Sequence, residues 1–584
     1  GTASEGSDYA TISNITISAG DTTGTATFNP TEDTSNEGSE TASISISSVF
    51  GADSSTSGTT SVTITITEYA LRTGTTFTDG GTSSTIAAQS NWDYFQHSDD
   101  AGDVHPFEFI NAHKAQSFTD GTNNLTGLGQ TIHVIDDGCD TNMNFFSNKI
   151  VTTLDTFSHG GNGGGQTVSA NHCNSVAAIA GGDASVSSSF RGVAPDVDFY
   201  LSKFSDGWAD QAADINTSRA GGARIMNNSW GFSNGYITGS WMQSRIDAGT
   251  NTALSGLAYL GSTSNSNAQL LVDAYDDFQS AGGVIVWSNG NDESQSDISY
   301  MGSLPRFFPE LEEAWLTVGN LQYEGSNLAD ETSETNFTNM GHPCGVSARE
   351  YCLFTDGTNL RTPAFSSGST NYVWTDATSG TSWTAPMVSG GVALMKQAFP
   401  NHNAEQIVDR LLASADNDWF VPDGNTTFTT HGASITHGFD TKWGHGIMDL
   451  YAALSPITSN RNAASVTTGS NLDGTACAQC SDNSKSDNSR HDLSETNLSV
   501  TSAFGDSISK ALSKETGYFY DGLNGGFSFD MSSLVNDKSA QKAPSYNIEN
   551  GFNKLGQISD TSNFDKKFNP TNALAFADKE QLYI

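Results

Sequence analysis

The sequence predicts an α/β fold over residues 101–456, with a parallel sheet that carries helices on both faces. Short apolar runs alternate there with segments of helical length, which is typical of parallel sheets covered by helices. Hydrophobic residues make up 36% of the chain, enough for at least one large core. The candidate strands are 131–135, 197–201, 224–226 and 283–287, and the candidate helices are 172–181, 265–281, 382–398 and 403–415.

Four further regions flank this domain. Residues 1–73 are predicted to be all-β, because short alternating runs are separated there by clusters of Gly, Asp, Asn and Ser. Residues 74–100 and 457–494 are polar and are predicted to be linkers. Residues 495–584 regain some Phe, Leu and Tyr and are predicted to form a largely irregular C-terminal tail.

The charge balance excludes some functions. The chain has 25 Lys and Arg against 65 Asp and Glu, a net charge of −40. Such a surface repels nucleic acids and anionic membranes, so neither is an expected partner. The chain has no apolar run of membrane-spanning length, and no membrane insertion by this chain is expected. The acidity suits a secreted protein, although it is also explained by solubility alone.

The six cysteines suggest disulfides in an oxidising compartment, since their number is even. A zinc site is not expected, because the single Cys-x-x-Cys pair has no second pair to complete four ligands. Several connectivities are possible. The simplest pairing is local and joins Cys344 with Cys352 and Cys477 with Cys480, which leaves Cys139 with Cys173.

Four polar residues stand at strand ends or helix starts. Asp136 and Asn291 follow apolar strands, and His172 and Ser382 open helices. Alone, each has an ordinary explanation, such as a turn or a helix cap. Together they supply the nucleophile, the base, the group that orients the base, and an oxyanion donor, which are the parts that amide hydrolysis needs.

The order Asp136, His172, Asn291, Ser382 and the segments around these residues resemble the subtilisin family of serine peptidases. The resemblance implies that Ser382 attacks the scissile carbonyl, His172 transfers the proton and Asp136, rather than Asp137, orients His172. It also implies that Asn291 and the Ser382 N–H bind the oxyanion. The matching segments are Ile135–Gly138, His172–Ala177, Gly192–Pro195, Gly380–Pro386 and Trp443–Leu450.

The same resemblance implies a substrate channel. One wall of the channel is Ser229, Trp230 and Gly231, and the other is Ser288, Asn289 and Gly290. Trp383, which follows the nucleophile, also faces the channel. Three departures from the family's usual sequence limit which of its properties are expected of this chain. Trp383 stands where Met is usual, Ser175 replaces a second His, and the segment Phe232–Ser264 is extra length that should reshape the cleft.

The N-terminal region resembles the later part of a Calx-β domain, an immunoglobulin-like sandwich, through Gly6–Tyr9, Ile17–Gly20 and Glu32–Glu40. In that family the acidic loop binds calcium, and clustered oxygen ligands are what Ca²⁺ requires. A solvated acidic loop is the alternative. The candidate ligands of a structural calcium are Glu32, Asp33, Glu37 and Glu40.

The C-terminal segments Leu498–Gly505 and Tyr518–Asp530 resemble the region that precedes the outer-membrane barrel in some autotransporters. This implies secretion or surface display by a Gram-negative bacterium, and a chain from which upstream repeats or a downstream barrel have been removed. A start at Gly1 without Met is likewise expected of a processed product or fragment.

Together these features predict a secreted or surface-displayed serine endopeptidase that works through an acyl-enzyme intermediate. Its partner is a protein or peptide substrate, and it needs no catalytic cofactor. The alternative is a surface adhesion or scaffold protein whose protease domain is inactive or cleaves only itself. An intact set of four catalytic residues favours the peptidase.

Overall fold

The structure is a computed structural model of the 584-residue chain. It describes most of residues 104–457, together with 498–500, 516–530, 535–537 and short pieces of the first 72 residues. Those pieces are 3–6, 9–12, 14–17, 26, 28, 40–46, 49, 61–66 and 71–72. The gaps within 104–457 are 120–122, 142, 156–169, 184–190, 205–206, 233–234, 324–332, 366–371 and 431–432.

The strands within the described residues are numbered in chain order. The first ten are β1 (Glu40–Ser45), β2 (Ser61–Ile66), β3 (Leu71–Arg72), β4 (Thr131–Asp136), β5 (Val151–Thr153), β6 (Asp198–Lys203), β7 (Ile225–Asn228), β8 (Val284–Ser288), β9 (Trp315–Tyr323) and β10 (Phe337–Asn339). The others are β11 (Cys352–Asp356), β12 (Leu360–Phe365), β13 (Tyr372–Thr378), β14 (Gly424–Thr430), β15 (Ala433–Phe439), β16 (Leu498–Val500), β17 (Thr516–Tyr520), β18 (Gly526–Asp530) and β19 (Val535–Asp537).

The α-helices are numbered in the same way. They are α1 (Pro106–Phe109), α2 (Ala112–Ala115), α3 (Ala170–Gly181), α4 (Trp208–Ala220), α5 (Gly239–Asp247), α6 (Ala253–Leu260), α7 (Asn265–Ser280), α8 (Leu304–Phe307), α9 (Gly345–Ala348), α10 (Thr381–Ala398), α11 (Ala404–Ser414) and α12 (Leu450–Ala453). The predicted central strands and the four predicted helices are all present, with ends that differ by one or two residues in most cases.

The main sheet has the strand order β10-β9-β8-β7-β4-β6-β5, and β11 also pairs with β9. All of these pairs are parallel except β9 with β10, which is antiparallel. The prediction of a parallel sheet is therefore confirmed in part, because one edge pair is antiparallel. Strand β10 is only three residues long and is the next strand of the chain after β9. The sheet is mixed and mostly parallel.

Helices cover the sheet on both faces, as predicted. On one face Ile285 and Trp287 of β8 join a buried apolar cluster with α4 and α7. Because side chains alternate along a strand, Val284 and Val286 face the other side. There α10 contacts β7, β8 and β9, and it also packs against α3. The side chains of β8 are buried throughout, as expected for a strand covered on both faces.

The chain divides into two compact units, residues 1–485 with 520–527, and residues 486–519 with 528–584. The sequence had placed all of 495–584 in one tail, whereas the structure groups Tyr520–Phe527 with the first unit. Within the second unit, β16 and β19 pair in parallel. No helix among the described residues is both long and apolar enough to span a membrane.

The N-terminal predictions are described only in part. Strands β1 and β2 form an antiparallel pair, which is compatible with an all-β region. The immunoglobulin-like sandwich stays a prediction, because most of residues 1–100 lie outside the described residues. Glu32, Asp33 and Glu37 lie outside them too, and Glu40 is described only as the first residue of β1. The linkers 74–100 and 458–494 also lie outside.

Two disulfides join buried cysteines as predicted, Cys139 to Cys173 and Cys344 to Cys352. The first links the loop after β4 to helix α3, and the second links the start of α9 to the start of β11. The predicted pair of Cys477 with Cys480 lies outside the described residues.

Candidate active site

Asp136 is the last residue of β4, a strand in the middle of the sheet. The strand is apolar and flanked by two parallel neighbours, so its carboxyl end delivers Asp136 to the edge where sites form in α/β sheets. The side chain is fully buried. Its Oδ1 accepts hydrogen bonds from the Asp137 N–H and from Nδ1 of His172, each at 2.8 Å.

His172 lies in the first turn of α3, and its side chain is 32% exposed. Two links next to it hold α3 against the loop that follows Asp136. Cys173 forms its disulfide with Cys139, and the Asp140 N–H donates to Oδ1 of Asn174 at 3.0 Å. The distance between the Asp136 carboxylate and the imidazole is therefore fixed by covalent and polar contacts of the adjacent residues.

The pKa of His172 is raised above its ordinary value of 6.5. Burial acts in the opposite direction, but the charge of Asp136, its hydrogen bond and the charge of Asp137 outweigh it. An imidazole in this setting is stabilised when it carries a proton. That is the property required of a base that must hold a proton during a reaction.

Asp137 is an unusual neighbour for this pair. Burial, and then the charge of Asp136, raise the pKa of Asp137 from 3.8 to about 7, and His172 opposes that rise. Oδ1 of Asp137 and Oδ2 of Asp136 are both buried without a hydrogen-bond partner. A proton on Asp137 relieves the repulsion between the two carboxylates, so Asp137 is neutral below neutral pH.

Asp136, Asp137 and His172 each offer an atom within 4.8 Å of the others, a spacing that could hold a metal ion. The group does not fit calcium, which prefers six or more oxygen ligands. The Nδ1 of His172 is also already engaged with Asp136. The geometry matches an oriented base better than a metal centre.

Ser382 is the second residue of α10 and is almost wholly buried. Its backbone is held by an exchange of hydrogen bonds with Ser229. The Ser229 hydroxyl donates to the Ser382 carbonyl at 3.0 Å, and the Ser382 hydroxyl donates to the Ser229 carbonyl at 3.1 Å. The Ser382 carbonyl is free to accept because Pro386, four residues later, has no N–H. Ser229 therefore satisfies the acceptor that the helix leaves open.

A series of buried hydrogen bonds holds the Ser229 side chain in place. The Asn227 side-chain amide donates to Oγ of Ser229 at 2.9 Å, and the Ser389 hydroxyl donates to Oδ1 of Asn227 at 2.9 Å. These hydrogen bonds connect the end of β7 to the middle of α10. They fix the start of α10, and with it Ser382, relative to the sheet.

The imidazole of His172 lies beside the residue that follows Ser382. The rings of His172 and Trp383 have their centroids 5.1 Å apart. The Ser382 hydroxyl donates to Ser229 in this conformation, so it must leave that bond before it can donate to His172. Catalytic hydrogen bonds often form only when substrate is bound. The indole N–H of Trp383 is buried and has no acceptor among the described residues.

Asn291 follows β8 and is exposed. Its Oδ1 accepts from the backbone N–H and the hydroxyl of Thr381, at 2.8 and 2.9 Å. With its oxygen held in this way, the amide group presents its NH₂ as the free end. Thr381 immediately precedes Ser382, so the donor is oriented by the helix start that carries the serine.

The residues predicted to line the substrate channel divide into two sets. The side chains of Ser229, Ser288 and Asn289 are buried, so only their backbone can face a peptide. The half-buried ring of Trp230 stacks on Phe204 at 5.2 Å and contacts Trp287, so it belongs to an aromatic cluster. Gly231 is exposed and Gly290 is half-buried.

His342 is a supporting residue that the sequence did not indicate. Its N–H donates to the Gly290 carbonyl at 2.9 Å, and its carbonyl accepts from the Asn289 side chain at 3.4 Å. Nε2 of His342 lies 2.9 Å from the Gly235 carbonyl, at the start of the extra segment 232–264. Gly290 has φ of +110°, and a Cβ there would lie 2.1 Å from the His342 ring. His342 thus fixes one predicted channel wall.

Two other supporting residues were missed for different reasons. Thr381 stands inside a motif that the sequence identified, but its contact with Asn291 crosses 90 positions. Asn227 lies beside the predicted channel segment, and only the packing of β7 against α10 reveals its role. Ser175, which replaces a second His, donates to the Pro363 carbonyl at 3.0 Å and is buried.

Comparisons with known proteins identify the family. The subtilase family model, Peptidase S8, matches residues 127–446, more than half of the chain. Fervidolysin of Fervidobacterium pennivorans is 29% identical over 250 residues, which cover 42% of this chain and 27% of fervidolysin. Serotype-specific antigen 1 of Mannheimia haemolytica is 27% identical over 186 residues, which cover 32% of this chain and 17% of the antigen.

The chain thus spans about a quarter or less of the length of the curated relatives it matches. The crystal structure of fervidolysin, a keratinolytic enzyme related to subtilisin, superposes with a TM-score of 0.39 at 19% identity. That superposition covers 66% of this chain and 51% of fervidolysin. With its α/β fold and a family match that includes Asp136, His172, Asn291 and Ser382, the chain belongs to the subtilase family of serine peptidases.

Proposed function

We propose that the chain is a serine endopeptidase that cleaves proteins or peptides through Ser382, His172 and Asp136. The observation that carries the proposal is the 2.8 Å hydrogen bond between His172 and the buried Asp136, beside a helix that starts at Thr381. A buried Asp on one imidazole nitrogen leaves the other nitrogen available as the base. Ser382, in the first turn of that helix, supplies the nucleophile.

The reaction follows from these positions. When a peptide carbonyl binds, the Ser382 hydroxyl leaves the Ser229 carbonyl and gives its proton to His172 as Oγ attacks. The charge of Asp136 stabilises the imidazolium that forms, consistent with the raised pKa of His172. His172 then protonates the leaving amine, and water hydrolyses the acyl-enzyme on Ser382 by the same transfer in reverse.

Two donors are assigned to the oxyanion, the Ser382 N–H at the start of α10 and the NH₂ of Asn291. The free N–H groups and the positive end of the helix dipole favour negative charge at that position. The bonds from Thr381 to Asn291 Oδ1 orient the amide before the reaction begins. Such preorganised donors stabilise the transition state without moving when charge develops.

The peptide is assigned to the channel between Ser229–Gly231 and Ser288–Gly290. Because most of these side chains are buried, recognition there depends on the backbone, and an extended peptide adds as a strand. Trp383 covers the leaving-group side and brings an unpaired indole N–H. Specificity in the first pocket is then set by pocket shape and by the segment 232–264, which His342 anchors.

Secretion or surface display is part of the proposal. It is supported by two disulfides and by the net charge of −40. Display by a Gram-negative bacterium, and structural calcium bound by Glu32, Asp33, Glu37 and Glu40, rest on the sequence resemblances of the terminal regions.

Labelling with a fluorophosphonate tests the proposal. The full chain and the variant Ser379→Ala should be labelled, whereas Ser382→Ala should not. Ser379 is a matched control, because it is an exposed serine three positions earlier. Absence of labelling in the folded wild-type chain, confirmed by peptide mapping, would rule out an active peptidase and favour the scaffold alternative.

A further inference from the structure

Arg410 is a fully buried arginine that takes no part in the candidate active site described above. It lies on α11, and its guanidinium donates to the carbonyls of Ala453 and Ser455 at 3.1 and 3.0 Å. The ring of Phe399 lies beneath it, with 4.5 Å between the guanidinium carbon and the ring centroid. An arginine cannot lose its charge in a protein, so this site needs an anion.

The anion is Asp521, which is 111 positions later and is also fully buried. Both of its carboxylate oxygens accept from Nη1 of Arg410, at 3.0 and 2.8 Å. The same carboxylate accepts the backbone N–H groups of Ile457, Leu523 and Gly525, at 2.8 to 3.0 Å. Asp521 therefore closes a tight turn of its own segment and at the same time pairs with the core.

The rest of that turn fits the same surface. Leu523 and Phe527 are 2% and 5% exposed, and the Gly522 N–H donates to the Ile457 carbonyl at 2.8 Å. Gly525 passes so close to Arg410 that a Cβ would lie 2.5 Å from Nη1. Any side chain at position 525 would therefore push the guanidinium away.

We propose that the surface formed by Arg410, Phe399 and the 453–457 loop is a binding site for the segment Tyr520–Phe527 of this same chain. The segment supplies one carboxylate in a tight turn and two apolar side chains, which match the one charge and the apolar lining of the site. It reaches the site from beyond the connecting residues 458–515. The segment stays bound after the chain is cut in that connection, and the product is a two-piece peptidase unit.

A controlled cut tests the site. A recognition sequence for a site-specific viral protease is inserted after residue 480 of the full chain, in a Ser382→Ala background that prevents self-cleavage. After the cut, the C-terminal piece should co-elute with the peptidase unit in size-exclusion chromatography without denaturant. Separation of the two pieces at micromolar concentration would overturn the proposal.

A competition experiment tests the contact between Arg410 and Asp521, and it does not require another variant of the protein to fold. An excess of synthetic peptide 516–530 should displace the C-terminal piece from the cut protein. The same peptide with Asp521→Asn should compete about 100-fold more weakly, because it leaves Arg410 unpaired. If neither peptide displaces the piece, or both do so equally, recognition of Asp521 by Arg410 is wrong. None of these outcomes depends on peptidase activity.

Discussion

Removal of the Cys139–Cys173 disulfide should destabilise the protein more than removal of Cys344–Cys352. The two bonds close loops of 34 and 8 positions. In the chain-entropy model, closures of that length stabilise the folded state by about 3.8 and about 2.5 kcal/mol. The double variant Cys139→Ala/Cys173→Ala should thus lose about 1.3 kcal/mol more than Cys344→Ala/Cys352→Ala.

The comparison is well matched, because all four cysteines are buried. Packing losses from the four alanines are of the same kind in the two variants and largely cancel. The free energy of unfolding is measured by guanidinium titration in a Ser382→Ala background, to prevent self-digestion. Equal losses, or a larger loss for the short loop, would refute the loop-entropy reasoning.

The longer loop also has a catalytic consequence. Cys173 is adjacent to His172, and Cys139 follows Asp136 by three positions. In a chain that keeps Ser382, loss of this bond should lower kcat at temperatures below the variant's own unfolding midpoint, where the protein is still folded. If kcat follows global unfolding at every temperature, the bond stabilises the fold but does not hold the catalytic pair.

Two further predictions concern the catalytic groups. Asn291→Ala should lower kcat about 100- to 1,000-fold, because it removes an oxyanion donor. Thr381→Val should lower kcat less, and Thr381→Ser should hardly lower it. Equal kcat for Asn291→Ala and wild type would exclude the oxyanion role. Asp137→Asn removes a carboxylate that becomes charged near pH 7 and then raises the pKa of His172, so the part of the acidic limb of the kcat/KM profile near pH 7 should move to lower pH. Because the pKa of Asp137 is raised to about 7 on folding, its contribution to stability is complete below pH 3.8 and is lost as pH rises to 7. After a discount for the partial exposure of Asp137, the Asp137→Asn variant should be about 2 kcal/mol more stable than wild type at pH 8 and no more stable at pH 3.5. An unchanged kcat/KM profile together with unchanged stability would refute the coupling between the two carboxylates.

The sequence predicted the parts of the site that local patterns determine. An apolar run that ends in Asp136 is a strand, and Pro386 indicates that a helix starts near Ser382, because proline is tolerated only early in a helix. The mixed sheet edge was not predictable in this way. Strand β10 has three residues, too few for a period of two to be recognised.

The supporting contacts could not be predicted, because they join distant positions. Ser229 and Ser382 exchange hydrogen bonds across 153 positions. Pro386 removes a donor, which is readable from the sequence, but only the register of β7 against α10 shows that Ser229 replaces it. His342 contacts Gly235 across 107 positions, in a segment where the chain departs from its family.

The pairing of Arg410 with Asp521 also sets an order of events during synthesis. A ribosome adds about 5 to 20 residues per second, so the 111 positions between the two residues correspond to roughly 5 to 20 s. Throughout that interval Ser382, His172 and Asp136 have all been made, but Arg410 lacks its counter-ion. The segment that pairs with Arg410 is thus made after all of the residues proposed for catalysis, so this part of the core closes only after translation has passed residue 527.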